Sequence, residues 1–151
     1  GGFGGCGAAY ESRYWGRDKK VVVVEKANIP DYYPDIIVPK ALKIGPVIQK
    51  TFSKAYSKGV RISFGTDAGV FDHGLNAKEF IYMVEAGMPE TEAIQSATIT
   101  NALILDKENV LGQISKGFFA DIIATNDNPL DNINTLTDVI FVMKNGSVYK
   151  N

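Results

Sequence analysis

The chain has 151 residues, 45% of them hydrophobic and 22% charged, which is normal for a globular protein that buries one core. Sixteen basic and 17 acidic residues leave a net charge of −1, which gives no electrostatic reason to expect nucleic acid or an anionic membrane as a partner. No apolar run approaches the ~20 residues that span a bilayer, and no leader is visible, so we predict a soluble protein. The chain starts without Met, and its compartment, cytoplasmic or periplasmic, is left open.

The first twenty residues match no element that we can place. The glycine-rich run Gly1–Gly7 lacks the Gly-Lys-Ser/Thr ending of a phosphate loop, and no strand precedes it. A nucleotide-binding domain would rest on this run alone. Cys6 is the one cysteine, so it cannot form an internal disulfide, and His73 is the one histidine.

The region from residue 21 to about 59 predicts a short apolar element and then a helix. Val21–Ala27 fits either a buried strand or the start of a helix. From Pro39 to Lys58 the pattern is helical, and Gly59 stands where a helix usually stops. The apolar residues near one face of this helix are Leu42, Val47, Phe52 and Tyr56.

A strand and two helices are predicted next. Val60–Phe64 alternates apolar and polar residues and reads as a strand that ends at Gly65. Asn76 is predicted to cap a helix, with Glu79 completing a capping box. Gly87 ends that helix and Pro89 opens another. The apolar residues of the two helices are Phe80, Met83 and Val84, then Ala93, Ile94, Ala97 and, in its continuation, Ala102.

Helical periodicity stops after Asp106, and short strands replace it. The predicted strands are Ala120–Thr125, Val139–Lys144 and Ser147–Lys150. Asn145-Gly146 between the last two is a strong signal for a type I′ hairpin turn. We therefore divide the chain into an unplaced start (1–20), an α/β part (21–105) and a small β part (106–151).

The most informative motif is Gly65-Thr66-Asp67-Ala68-Gly69, directly after the predicted strand. A carboxylate just past a parallel strand points into the mouth of an α/β barrel, where such folds keep their active sites. Asp67 could there bind a divalent cation or take up a proton. The alternative is an ordinary aspartate turn. His73 is either a substrate-contacting group of the same loop or an exposed loop histidine.

Beyond this motif, the sequence resembles the amidohydrolase superfamily, especially its imidazolonepropionase-like and Xaa-Pro dipeptidase (prolidase-like) branch. The resemblance runs from about Lys26 to Lys150. It is carried by Gly59–Gly69, His73-Gly74, Glu79-Phe80, Met83–Met88, Glu92-Ala93, Ala97-Thr98, Gly112–Ile114 with Gly117, Ala120–Ile123, Asn128–Leu130 and Val142–Gly146.

The resemblance implies an α/β fold: the C-terminal part of a (β/α)8 TIM-like barrel, followed by part of a small β-sandwich built from both chain ends. Residues 21–105 would belong to the barrel and 106–151 to the sandwich. Val60–Phe64 would be the eighth barrel strand. Asp67 would be both catalytic residue and metal ligand, binding a divalent metal, zinc in a binuclear site, and shuttling protons. His73 is the candidate substrate-binding residue.

The sequence departs from the family in its metal ligands, because it has no His-x-His pair and no second histidine. Either the chain is a C-terminal fragment, inactive alone, or it has lost catalysis; the intact surroundings of Asp67 favour a fragment. The first hypothesis is a metal-dependent hydrolase of amide, cyclic amide or Xaa-Pro peptide C–N bonds. The alternative is a non-catalytic β/α domain that binds a small molecule or a partner subunit. The expected partner is a small amide or dipeptide, without nucleic acid or membrane, and self-association into a homo-oligomer is left open.

Overall fold

The computed structural model describes residues 9–10, 21–22, 38–66 and 73–151. Near the start, β1 (Ala9–Tyr10) and β2 (Val21–Val22) pair antiparallel, with Tyr10 opposite Val21. The strand alternative predicted for Val21–Ala27 is therefore observed for its first two residues. The remainder of that prediction, and the glycine run Gly1–Gly7, lie outside the described residues.

The first helix, α1, spans Val38–Ser57, close to the predicted bounds. As predicted, Gly59 follows its last turn, with a φ of +72° and a backbone N–H that donates to the carbonyl of Tyr56 at 2.8 Å. Glycine suits this position because it adopts positive φ without strain.

The buried face of α1 differs from the prediction at Val47, which is 60% exposed. The side chains that pack toward the core are Ile48, Phe52 and Tyr56, which are spaced four residues apart and so share one helix face. Val47 lies one residue, or about 100°, away from that stripe. Its hydrophobicity alone did not reveal on which side of the helix it would lie.

Residues 60–66 leave α1 and run through the interior without helical structure. Ile62, Ser63 and Thr66 are buried along this segment. The predicted strand Val60–Phe64 is not observed as a strand, because the two sheets among the described residues contain no neighbour for it. A strand in a parallel sheet is defined by its hydrogen bonds to adjacent strands. Segment 60–64 therefore has the burial expected of a strand but lacks interstrand hydrogen bonds to any described residue.

The next helix, α2, spans Lys78–Glu85, and its N-cap lies one residue after the predicted cap Asn76. The predicted capping box is wrong: the N-cap residue is Ala77, and it makes no side-chain capping hydrogen bond. The Asn76 side chain is turned away from the helix, toward Thr66. The helix ends as predicted before Gly87, whose φ is +100°.

Two short helices follow, α3 (Glu90–Ala97) and α4 (Ile99–Ile104). Pro89 precedes α3 as predicted, and its carbonyl accepts the backbone N–H of Ala93 at 2.9 Å. The predicted continuation of this helix is a separate element, because Thr98 has non-helical dihedral angles, φ −114° and ψ −90°. Asn101 of α4 hydrogen-bonds to Ser63 and Phe64 of the buried segment 60–66.

The core of the helical part is one cluster contributed by α1, segment 60–66, α2 and α3. Its buried members are Phe52, Ile62, Met83, Met88 and Ala93. Phe64 and Phe80 extend it with stacked rings, 4.3 Å between centroids. Segment 60–66 is thus covered by α1, α2 and α3 together.

The last third of the described chain forms a small antiparallel sheet, as predicted. Strands β3 (Ile122–Thr125), β4 (Val139–Lys144) and β5 (Ser147–Lys150) pair in the order β3-β4-β5. Asn145 and Gly146 connect β4 to β5 with φ of +49° and +78°, the positive values that a type I′ turn requires at both positions.

One element of this region was not predicted, a 3-10 helix at Ile133–Thr137. Asn132 caps it by accepting the backbone N–H of Asn134 at 3.1 Å. Ile133 and Leu136 are buried, and the turn packs against α2. The sheet and helices together make an α/β protein, and within the described part of the chain no helix has the length and apolarity to cross a membrane.

Gly112 provides a sharp test of packing between α4 and the loop that follows. It has a φ of +86°, and a Cβ added there would lie 2.7 Å from the carbonyl oxygen of Thr98. We expect Gly112→Ala to lower the free energy of unfolding by about 2–4 kcal/mol, since it combines a left-handed alanine with overpacking against backbone. Urea denaturation followed by circular dichroism measures the loss.

The matched control is Gly117→Ala. Gly117 has a similar φ of +92°, but an added Cβ would meet no described atom within 4 Å. This variant should therefore lose only the conformational part, about 1–2 kcal/mol. Equal losses in the two variants would show that the Thr98 backbone moves aside without cost.

Candidate active site

The segment that leads into Asp67 is held on one side by Asn101 of α4. The Asn101 carboxamide oxygen accepts a hydrogen bond from the Ser63 hydroxyl, and its amino group donates to the Phe64 carbonyl at 3.0 Å. The Phe64 backbone N–H donates to the Ser96 carbonyl at 3.2 Å. Consecutive polar groups of the segment are therefore satisfied by α3 and α4, as buried backbone requires.

A second contact joins residues that lie on the two sides of residues 67–72 in the sequence. Asn76 Nδ2 donates to Thr66 Oγ1 at 2.8 Å. Thr66 is 8% exposed. Asn76 Oδ1 is also buried, and it has no hydrogen-bond partner among the described residues.

The two predicted site residues fall in or beside the gap at residues 67–72. Asp67 lies outside the described residues. The backbone of His73 begins a 3-10 helix, His73–Leu75, and its side chain lies outside the description. Their separation and their roles in binding therefore stay predictions, and the structure describes the frame on both sides of them.

Two groups with shifted pKa values, Tyr56 and Asp121, make contacts that join elements of the fold. Burial, the hydrogen bond from the Tyr56 hydroxyl to Glu92 Oε2 at 2.9 Å and the charge of that carboxylate raise the pKa of Tyr56. Hydrogen bonds from the Lys144 ammonium and the Asn145 backbone N–H lower the pKa of Asp121. Tyr56 ties α1 to α3, and Asp121 ties the chain before β3 to the hairpin turn.

The described residues do not form a metal site by themselves. Within ranges 38–66 and 73–151, no three His, Cys, Asp or Glu side chains come together as potential ligands, and the sequence has a single histidine. A carboxylate is a suitable oxygen ligand for a divalent cation, so Asp67 could supply one ligand of such a site and not the whole of it.

Sequence reasoning missed Asn101 and Ser63 and misassigned Asn76. One signal could have identified Asn101: asparagine is a weak helix former, yet it stands inside the apolar helical stretch Ile99–Ile104. Such a residue in a helix often has a partner outside it. Ser63 carried a similar signal as a polar residue in a segment that is otherwise buried.

Comparison with known proteins identifies the family of this arrangement. Residues 18–149 match the profile of the Amidohydrolase family. Ochratoxinase from Aspergillus niger is 36% identical over 106 residues, which are 67% of this chain and 22% of the relative. A 5-methylthioadenosine/S-adenosylhomocysteine deaminase from Caldicellulosiruptor saccharolyticus is 31% identical over 121 residues, 72% of this chain and 28% of the relative.

Solved structures that resemble this chain include related hydrolases. A crystal structure of a Xaa-Pro dipeptidase with bound methionine in the active site is 52% identical, with a TM-score of 0.73 over 83% of this chain and 31% of that one. The Aspergillus niger ochratoxinase structure is 31% identical, with a TM-score of 0.62 over 78% of this chain and 28% of that one. The chain thus spans less than a third of the length of these relatives.

The Thr66–Asn76 hydrogen bond can be tested by removing one hydroxyl. Thr66→Val keeps the branched shape and leaves the half-buried Asn76 amide without its acceptor. We expect this to lower the free energy of unfolding by about 1–3 kcal/mol, measured by urea denaturation. Thr66→Ser retains the hydroxyl and serves as the control, with a smaller loss. A Thr66→Val variant as stable as the parent would show that the Thr66–Asn76 contact does not stabilise the fold.

Proposed function

Because the chain belongs to the amidohydrolase family, we propose that the protein containing it hydrolyses C–N bonds in Xaa-Pro dipeptides, or in related amides and cyclic amides. The observation that carries this proposal is the 52% identity to a Xaa-Pro dipeptidase over 83% of the chain. The similarity to a deaminase is in keeping with chemistry at a carbon–nitrogen bond. A dipeptide is the first substrate class to test.

Asp67 is the residue of this chain that we assign to catalysis. It directly follows Thr66, at the end of a buried segment whose polar groups are held by Asn101, Ser96 and Asn76. Such support suits a side chain that must be placed accurately. In the proposed reaction, the Asp67 carboxylate accepts a proton from the attacking water and delivers it to the leaving nitrogen.

Asp67 is also the ligand that this chain would contribute to a divalent-metal site, zinc in a binuclear arrangement being the proposed identity. Divalent metals are general in the family. When bound, such a cation polarises the substrate carbonyl and makes water a better nucleophile. The sequence has a single histidine, and the described residues bring no three potential ligands together, so the proposed site takes further ligands from the protein containing this chain. His73 is proposed to contact substrate.

The central prediction is that Asp67→Asn, made in the protein that contains this chain, nearly abolishes turnover and leaves the fold intact. Asparagine keeps the shape of aspartate but cannot act as a base at neutral pH. The loss should be at least about a hundred- to ten-thousand-fold, the usual contribution of general acid–base catalysis. The measurement is kcat/KM on Met-Pro and a panel of other Xaa-Pro dipeptides and cyclic amides.

The matched control is Asp127→Asn, the same chemical change at an exposed position of the tail, which should keep parental turnover. His73→Ala should act mainly through a higher KM. The 151-residue chain alone should hydrolyse nothing, with or without added zinc or manganese. Near-parental turnover by Asp67→Asn would remove this residue from the mechanism and leave an ordinary aspartate turn.

A further inference from the structure

The side chain of Asn101 makes two hydrogen bonds to consecutive residues of the segment that leads into Asp67. Its oxygen accepts from the hydroxyl of Ser63, which is 6% exposed, and its nitrogen donates to the carbonyl of Phe64 at 3.0 Å. Asn101 lies 37 residues after Phe64 in the sequence. The contact is therefore tertiary, and it joins α4 to the chain three residues before Asp67.

We propose that Asn101 is a positioning residue for the Asp67 carboxylate, acting through the Ser63 side chain and the Phe64 backbone. This inference rests on the proposed function, in which Asp67 transfers the proton. The planar carboxamide accepts from the Ser63 side chain and donates to the Phe64 carbonyl. Together with the Ser96 carbonyl, which accepts the Phe64 N–H, it restricts rotation of the backbone at Phe64.

The segment before Asp67 is held both by apolar packing and by hydrogen bonds, and Asn101 contributes to the hydrogen bonds. Ile62 holds the segment by packing into the apolar core, an interaction with little directionality. Hydrogen bonds are directional, and Asn101 and Ser96 supply them to the residues that come next. Asparagine is a weak helix former, so its presence inside α4 is explained by what its side chain does outside the helix.

A positioning role changes the kinetics in a way that a purely structural contact between α4 and segment 60–66 does not. A catalytic group displaced by about 1 Å loses on the order of a hundredfold in rate, whereas substrate affinity changes little if other residues bind the substrate. Loss of a purely structural contact lowers the melting temperature and leaves kcat unchanged well below it. The ratio of the kcat effect to the KM effect therefore separates the two roles.

The experiment uses the protein that contains this chain, with Met-Pro as substrate. Activity is measured about 15 °C below the lowest melting temperature among the variants, so that every variant is folded. Asn101→Ala removes both contacts. Asn101→Asp keeps an acceptor for Ser63 and places an oxygen opposite the Phe64 carbonyl. Ser63→Ala leaves the Phe64 contact intact. The control is Asn134→Ala, whose exposed carboxamide bonds Asn132 in the tail.

We expect Asn101→Ala and Asn101→Asp to lower kcat by about a hundredfold with KM within about threefold of the parent. Ser63→Ala should lose less, about tenfold or under, because the Phe64 contact remains. The Ser63→Ala/Asn101→Ala double variant should lose no more than Asn101→Ala alone, as expected for residues acting through one contact. Asn134→Ala should match the parent.

Parental kcat in the folded Asn101 variants overturns the proposal, and so does a loss confined to KM. If Asn101→Ala does not fold, Asn101→Asp and Ser63→Ala decide the matter by the same ratio, and unchanged kcat in whichever of them folds overturns it. Asp67→Asn is measured in parallel. Turnover retained by Asp67→Asn refutes the proposed catalytic role itself, whereas an inactive Asp67→Asn beside fully active Asn101 variants refutes only the positioning role.

Discussion

Burial of Ile62 is the constraint on which the rest of the described structure depends. Its side chain is 5% exposed in a cluster with Phe52 of α1, Met83 of α2 and Ala93 of α3, and burying an isoleucine contributes about 1.5–3 kcal/mol. That packing fixes the register of segment 60–66. A shift by one residue would carry Ser63 into the apolar cluster and break its bond to Asn101. The apolar contact thus decides which backbone groups face α4.

Local patterns accounted for most of the fold because their causes are local. The periodicity of α1, the positive φ at Gly59 and Gly87, and the Asn145-Gly146 turn each depend on a few neighbouring residues. The sheet followed from alternation and from that turn chemistry. The family resemblance was likewise carried by short motifs, and the profile match over residues 18–149 confirms it.

The errors at Asn76, Val60–Phe64 and Asn101 share a different cause, since each concerns a partner outside the local sequence pattern. Asparagine is a residue type that favours helix caps, but the Asn76 side chain contacts Thr66, ten residues earlier. Val60–Phe64 has the pattern of a strand, yet a strand also needs neighbours, and the described residues provide none. For the candidate site, the sequence pointed to Asp67 and His73 but not to Asn101, because no short-range pattern links residue 101 to residue 64.

The hairpin turn described above also bears on the chemical durability of the chain. Asparagine followed by glycine is prone to deamidation, because the glycine nitrogen can attack the asparagine carboxamide and close a five-membered imide. Here the Gly146 N–H donates to the Ala120 carbonyl at 3.1 Å, and the Asn145 N–H donates to Asp121 at 2.8 Å. Ring closure must break the first of these bonds and unwind the turn. The tertiary contacts that hold the hairpin therefore slow deamidation of Asn145-Gly146, which would be fast in an unfolded chain.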